Sequence, residues 1–164
     1  MAENLKDMNM TIVVDDGSRR VPIQNKDGVE IGAFTFHPTD LGIIKRYNDL
    51  TDRAGDIFEP LTEVSAEMDG EDVDISDPRY VQALDEAGKR LYAAVNTLFG
   101  SDEAAPAFFG KMDPFSPVGG AFYCAQVLDA VGAFIGAQFE QETARFSENA
   151  RKYANRATRR ARNK

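Results

Sequence analysis

The stretch from Ser116 to Phe139, SPVGGAFYCAQVLDAVGAFIGAQF, is the longest run in the chain with almost no charge, Asp129 being its only side chain charged at neutral pH. A helix apolar most of the way round is either a membrane span or the central element of a helical core. Length alone permits a span. Asp129 at mid-run, Gln126, Gln138 and many weakly apolar Gly and Ala residues argue against one, because a carboxylate in lipid is costly without a partner. The expectation is a core helix. It opens at Ser116 as N-cap and Pro117 as first helical residue, is apolar on both sides, and buries Phe122, Leu128, Val131 and Ile135.

The rest of the chain must cover that helix. Thr11–Val14, Arg20–Ile23 and Val29–Phe36 read as strands separated by the turn signals Asp16-Gly17 and Asp27-Gly28, which predicts a three-stranded antiparallel meander within 10–37. In the third strand Val29, Ile31, Ala33 and Thr35 share one face and Phe34 and Phe36 the other; Pro22 makes the second an edge or bulged strand. Thr39 or Asp40 caps a helix over 41–68, whose apolar positions Ile43, Tyr47, Leu50, Ala54, Ile57, Leu61, Val64 and Met68 keep heptad spacing, with a kink or restart expected at Pro60. Asp77-Pro78 opens a helix over 78–99 carrying Val81, Leu84, Leu91, Val95 and Leu98 to a stop at Gly100. Residues 101–115 read as a loop whose Phe108, Phe109 and Phe115 fold back onto the domain. The third main helix spans 117–150, and along its outer part and into the segment beyond it Phe139, Phe146 and Tyr153 recur at seven-residue spacing among charged residues. The fold class is therefore α+β, a small N-terminal antiparallel meander on a bundle of three main helices within one domain, 1–150.

Charge sets 151–164 apart as a basic C-terminal tail. All 27 acidic residues lie in 1–150 with 12 of the 19 basic ones, a balance of −15, whereas 151–164 hold the other 7 basic residues and no acidic one. An acidic body argues against a broad nucleic-acid surface, which needs positive charge along the contact. The tail, including Arg159, Arg160 and Arg162, offers only nonspecific electrostatics and is expected to fray or await a partner. A lone cysteine, Cys124, and an N-terminus without a basic-then-apolar leader pattern point to a soluble, intracellular protein.

Catalytic chemistry has little to draw on. His37 precedes Pro38 at a corner and nothing ties it to Cys124. The acidic run Asp69, Glu71, Asp72, Asp74, Asp77 places Gly directly after its first Asp and lacks the closing Glu, so it fails the calcium-loop template and reads as solvated loop. Gly110-Lys111 is no phosphate loop. No enzyme activity, metal or cofactor is expected. Gly132 and Gly136 form a G-x-x-x-G, read as close approach of another backbone within the fold.

Two sets of strings resemble a known family. Gly32-Ala33-Phe34-Thr35-Phe36-His37-Pro38-Thr39-Asp40, running into Ile43-Ile44-Lys45-Arg46-Tyr47-Asn48, is similar to small tail assembly chaperones of long-tailed, siphovirus-like phages and prophages of Gram-positive hosts. Leu98-Phe99-Gly100, Phe109-Gly110-Lys111, Pro114-Phe115-Ser116, Phe122-Tyr123 and Val127-Leu128-Asp129-Ala130 follow in matching order, so the resemblance covers most of 29–135. It implies a non-enzymatic protein of the host cytoplasm, absent from the mature virion, that coats the tape measure protein until tail tube subunits displace it. It further implies that a frameshift adds a tube-recruiting extension to some copies, with which a basic tail ending at Asn163-Lys164 is compatible. The family supplies no fixed functional residues to carry over.

From the residues themselves, the candidate partner-binding or oligomer surface is Phe139, Phe146 and Tyr153 with Arg159, Arg160 and Arg162, in a protein expected to form homo-oligomers. Two alternatives stand beside the chaperone: a structural virion component such as a minor tail or head-completion protein, and a small nucleic-acid-binding regulator using the basic tail.

Overall fold

A computed structural model describes residues 10–68 and 74–163, and its architecture is α+β: a two-stranded antiparallel hairpin packed on helices. The hairpin is β1 (Arg19–Gln24) and β2 (Glu30–Phe36), paired from Arg19↔Phe36 to Gln24↔Glu30 with a bulge at Ile23/Gln24, beside Pro22. Its turn follows from Asn25, whose Oδ1 accepts from the Asp27 and Val29 amides, and from Gly28 at φ 79°. Phe34 and Phe36 are buried as the alternation of β2 requires, stacking on each other and meeting Phe99 edge to face.

The first strand of the expected meander, Thr11–Val14, does not form. Asp15 and Asp16 each accept from the amide two residues on, and Gly17 takes φ 76°, so the chain turns before β1 instead of running back along it. Ile12, Val13 and Val14 are left exposed, Ile12 at 91%. Pro22 also denies β1 one ladder donor.

The heptad stripe over 41–68 is realised by two helices, α1 (Leu41–Asp52) and α2 (Ala54–Glu67), with Ile43, Leu50, Ile57, Leu61 and Met68 buried. Asp40 caps α1, accepting from the Gly42 amide. The break comes at Arg53, not at Pro60, which lies inside α2. A helical proline frees the carbonyl four residues earlier. Here that carbonyl, of Asp56, accepts from Arg90 Nη1 at 2.7 Å, so α2 continues through the proline.

Helix α3 (Pro78–Phe99) begins as expected, with the Asp77 carboxylate accepting from the Arg79 amide, and ends on Gly100 in the left-handed region at φ 63°. Its buried face is Ala83, Ala87, Leu91, Val95, Leu98 and Phe99; Val81 is exposed and Leu84 half-buried. The small alanines let neighbouring helices approach. The region expected to be loop holds a short α4 (Ala104–Phe109), whose last carbonyls at Phe108 and Phe109 accept from the Tyr123 and Tyr92 hydroxyls. Phe109 and Phe115 are buried and Phe108 packs on the core, so the aromatics do fold back.

The apolar run departs most from its reading. Pro117–Val118 (β3) and Ala121–Phe122 (β4) form a tight hairpin, because Gly119 and Gly120 both take positive φ, 62° and 84°. The last helix, α5, therefore starts at Tyr123, with neither Ser116 as cap nor Pro117 as first residue, and runs to Arg162 without a break. Only one face of it is buried, through Cys124, Val127, Val131 and Ile135; Leu128 is half-buried and Phe122 is 36% exposed. Ala125, Asp129, Ala133 and Ala137 face solvent, which is tolerable because alanine offers little apolar area. Gly132 admits a side chain and not a backbone: a β-carbon there would lie 2.5 Å from the Tyr47 hydroxyl, while around Gly136 there is open space. Among the described residues no helix is long and apolar enough to cross a membrane.

Candidate partner-binding surface

Beyond Phe139 the last helix has no buried side chain, passing the Asp15–Arg19 turn at Glu142 and Arg145 before it leaves the body. Phe139 is half-buried against the core, but from Glu140 to Asn163 every described side chain is exposed. Residues 151–162, expected to fray or await a partner, continue the same helix. Arg and Ala are strong helix formers, and Arg159, Arg160 and Arg162 in the last turn complement the negative end of the helix dipole. With a rise of about 1.5 Å per residue, the arm from Glu140 to Arg162 extends about 33 Å.

Phe146 is the apolar feature of this arm, 76% exposed. At about 100° per residue it lies within about 20° of Phe139, so the core's edge continues outward as one seam. Tyr153 belongs to the helix by its backbone, and its side chain lies outside the described residues. The cations take another side. Arg151, Lys152, Arg156, Arg159, Arg160 and Arg162 spread over about half the helix circumference, the half centred away from the line of Phe139 and Phe146. None of the six makes an ion pair among the described residues; the charge pair nearest them on the helix is Arg145 with Glu142, at 3.3 Å.

A second exposed surface, which sequence reasoning passed over, lies on α2. Helix α2 carries Asp56, Glu59, Glu63 and Glu67 within about 80° of arc, all exposed, and no basic residue. Only Glu59 has a cation partner among the described residues, Arg90 at 3.5 Å. Their recurrence at intervals of three and four, uninterrupted by Lys or Arg, was visible in the sequence beneath the heptad stripe.

The residues weighed for chemistry are engaged structurally. His37 Nε2 sits 3.0 Å from the Asp16 carboxylate, and that contact, with the Ser18 amide, holds Asp16 far below the usual carboxylate range. Cys124 is fully buried, and burial pushes its thiol up to about 11, so it is not a nucleophile in the folded state. Asp74 binds Ser76 and Asp77 caps α3; Asp69, Glu71 and Asp72 lie outside the described residues. Among the described residues no three His, Cys, Asp or Glu side chains are grouped to hold a metal. Compared with protein-family models, curated proteins and solved structures, the chain matches none.

Proposed function

We propose that this protein is a tail assembly chaperone of a long-tailed phage or prophage. In this reading it coats the tape measure protein in the host cytoplasm and gives way when tail tube subunits polymerise around that protein. The observation that carries the reading is the arm, an unbroken helix that leaves the body with Phe146 exposed along a seam continuous with the core. An amphipathic helical partner with its own apolar stripe is the chemistry such a seam accepts, and a long partner of that kind aggregates unless covered. The resemblance of residues 29–135 points to the same role. The acidic body supports it as well, since net negative charge keeps a crowded coat dispersed. Coating takes many copies, so homo-oligomers are part of the proposal.

Mass spectrometry of purified virions separates this from a structural virion component. The chaperone reading expects peptides of this chain in lysates of assembling particles and their near absence from finished ones. Stoichiometric peptides in finished virions would contradict it.

A further inference from the structure

Unpaired charge of both signs sits on this chain in places that cannot meet within one molecule. Helix α2 packs beside the start of α5, the ring of Phe58 lying 6.5 Å from that of Phe122 and 5.8 Å from that of Phe115, and its acidic face is turned about 140° away from Phe58. The cations begin at Arg151, about 42 Å further along the axis of α5. No proline or chain break interrupts that helix, and α2 itself is only about 20 Å long. The arm therefore cannot fold back onto its own α2 while it stays helical.

We infer that the basic arm of one copy docks along the acidic face of α2 of a second copy. The occupant is favoured by charge and by shape together. Among the described helices, α2 alone carries acidic residues without any cation, and the arm from Arg151 to Arg162 carries cations without any acid. Both are exposed helical faces of similar length, about 20 Å and about 17 Å. Arg90 already shows that a guanidinium is accepted at Glu59; Asp56, Glu63 and Glu67 remain open for others. Because arm and receptor are different surfaces, the contact is head to tail, and each added copy presents a fresh arm and a fresh face. It closes into rings or grows as a filament, according to the rotation between copies. The coating role needs such growth, but the contact itself does not rest on the identity of what is coated.

The test uses the full-length protein in sedimentation velocity over a concentration series, at about 50 mM and about 500 mM salt. The wild type is expected to gain mass with concentration at low salt and to return toward the 18.1 kDa monomer at high salt. Arg156→Glu/Arg159→Glu/Arg160→Glu and, separately, Glu63→Lys/Glu67→Lys should each lose that gain. An equimolar mixture of the two variants should regain it, because each reversed surface then meets an opposite charge on the other protein. Carbodiimide cross-linking of the wild type should join Lys152 to Glu63 or Glu67 in covalent dimers. A wild type monomeric at low salt overturns the inference, as does association that survives either reversal or a mixture that stays monomeric. So does a monomer whose arm binds RNA or DNA with a steep salt dependence, which would assign the cations to phosphates.

Discussion

Arg90 Nη1 donates to the carbonyl of Asp56 at 2.7 Å, the carbonyl that Pro60 leaves without its helical donor. One guanidinium thus lets α2 pass through a proline and ties α2 to α3. Arg90→Met should cost about 1 kcal/mol, the lower end for an acceptor left unsatisfied, since the side chain is 40% exposed. In a Pro60→Ala background the loss should shrink, because the backbone N–H restored by that substitution would then supply the donor. Denaturant melts of the four proteins measure the coupling, and equal losses in both backgrounds would show that the proline is not what Arg90 compensates.

Gly132 and Gly136 share a helix but not an environment. At Gly132 a methyl group would meet the Tyr47 hydroxyl, which donates to the Leu128 carbonyl at 3.2 Å; at Gly136 it would meet nothing. Gly132→Ala should destabilise by about 1 kcal/mol or more, overpacking outweighing the gain in helix propensity. Gly136→Ala should stabilise by up to about 1 kcal/mol. Thermal melts that reversed this order would place the close approach at the wrong glycine.

Leu91 is 1% exposed at the centre of α3, while Leu128 is half-buried at the edge of the buried face of α5. Leu91→Ala should cost about 2–5 kcal/mol and Leu128→Ala clearly less. Similar losses in chemical denaturation would mean that α5 buries more than one face.

Much of this was legible before any coordinates. Asp77-Pro78 and Gly100 mark the ends of α3 through capping chemistry that needs no tertiary context, and the Phe34 and Phe36 alternation sets which face of β2 meets the core. Elsewhere local signals competed. Thr11–Val14 has the composition of a strand, but the turns at Asp15 and Asp16 redirect the chain before β1 and no ladder forms there. Ser116-Pro117 has the composition of a helix start, but Gly119-Gly120 makes a hairpin first. Pro60 should have broken its helix, and only Arg90, far along the chain, says otherwise. Of the candidate surface, Phe146 and the tail arginines were visible in the spacing and charge, whereas the unbroken arm that joins them depends on α5 continuing past its last packed residue.

Acid should weaken the capping contacts in a defined window. Backbone donation from Gly42, with Arg46 beside it, holds Asp40 below its ordinary value of 3.8. A folded-state value below the unfolded one means the contribution is complete above about pH 4 and is lost as pH falls further. The melting-temperature gap between wild type and Asp40→Ala should stay constant from about pH 7 to 5 and narrow below about 4. A gap that narrowed near neutrality would point to another titrating group.

The coating role is tested most directly by co-expressing this protein with the tape measure protein of the same genome and measuring how much tape measure stays in the supernatant. With the full chain, the tape measure should remain dispersed in a complex carrying several copies of this protein. With Phe146→Glu, whose own fold should survive because the ring is exposed, most of it should sediment. A tape measure that is equally soluble with the wild type, the variant or neither would contradict the account.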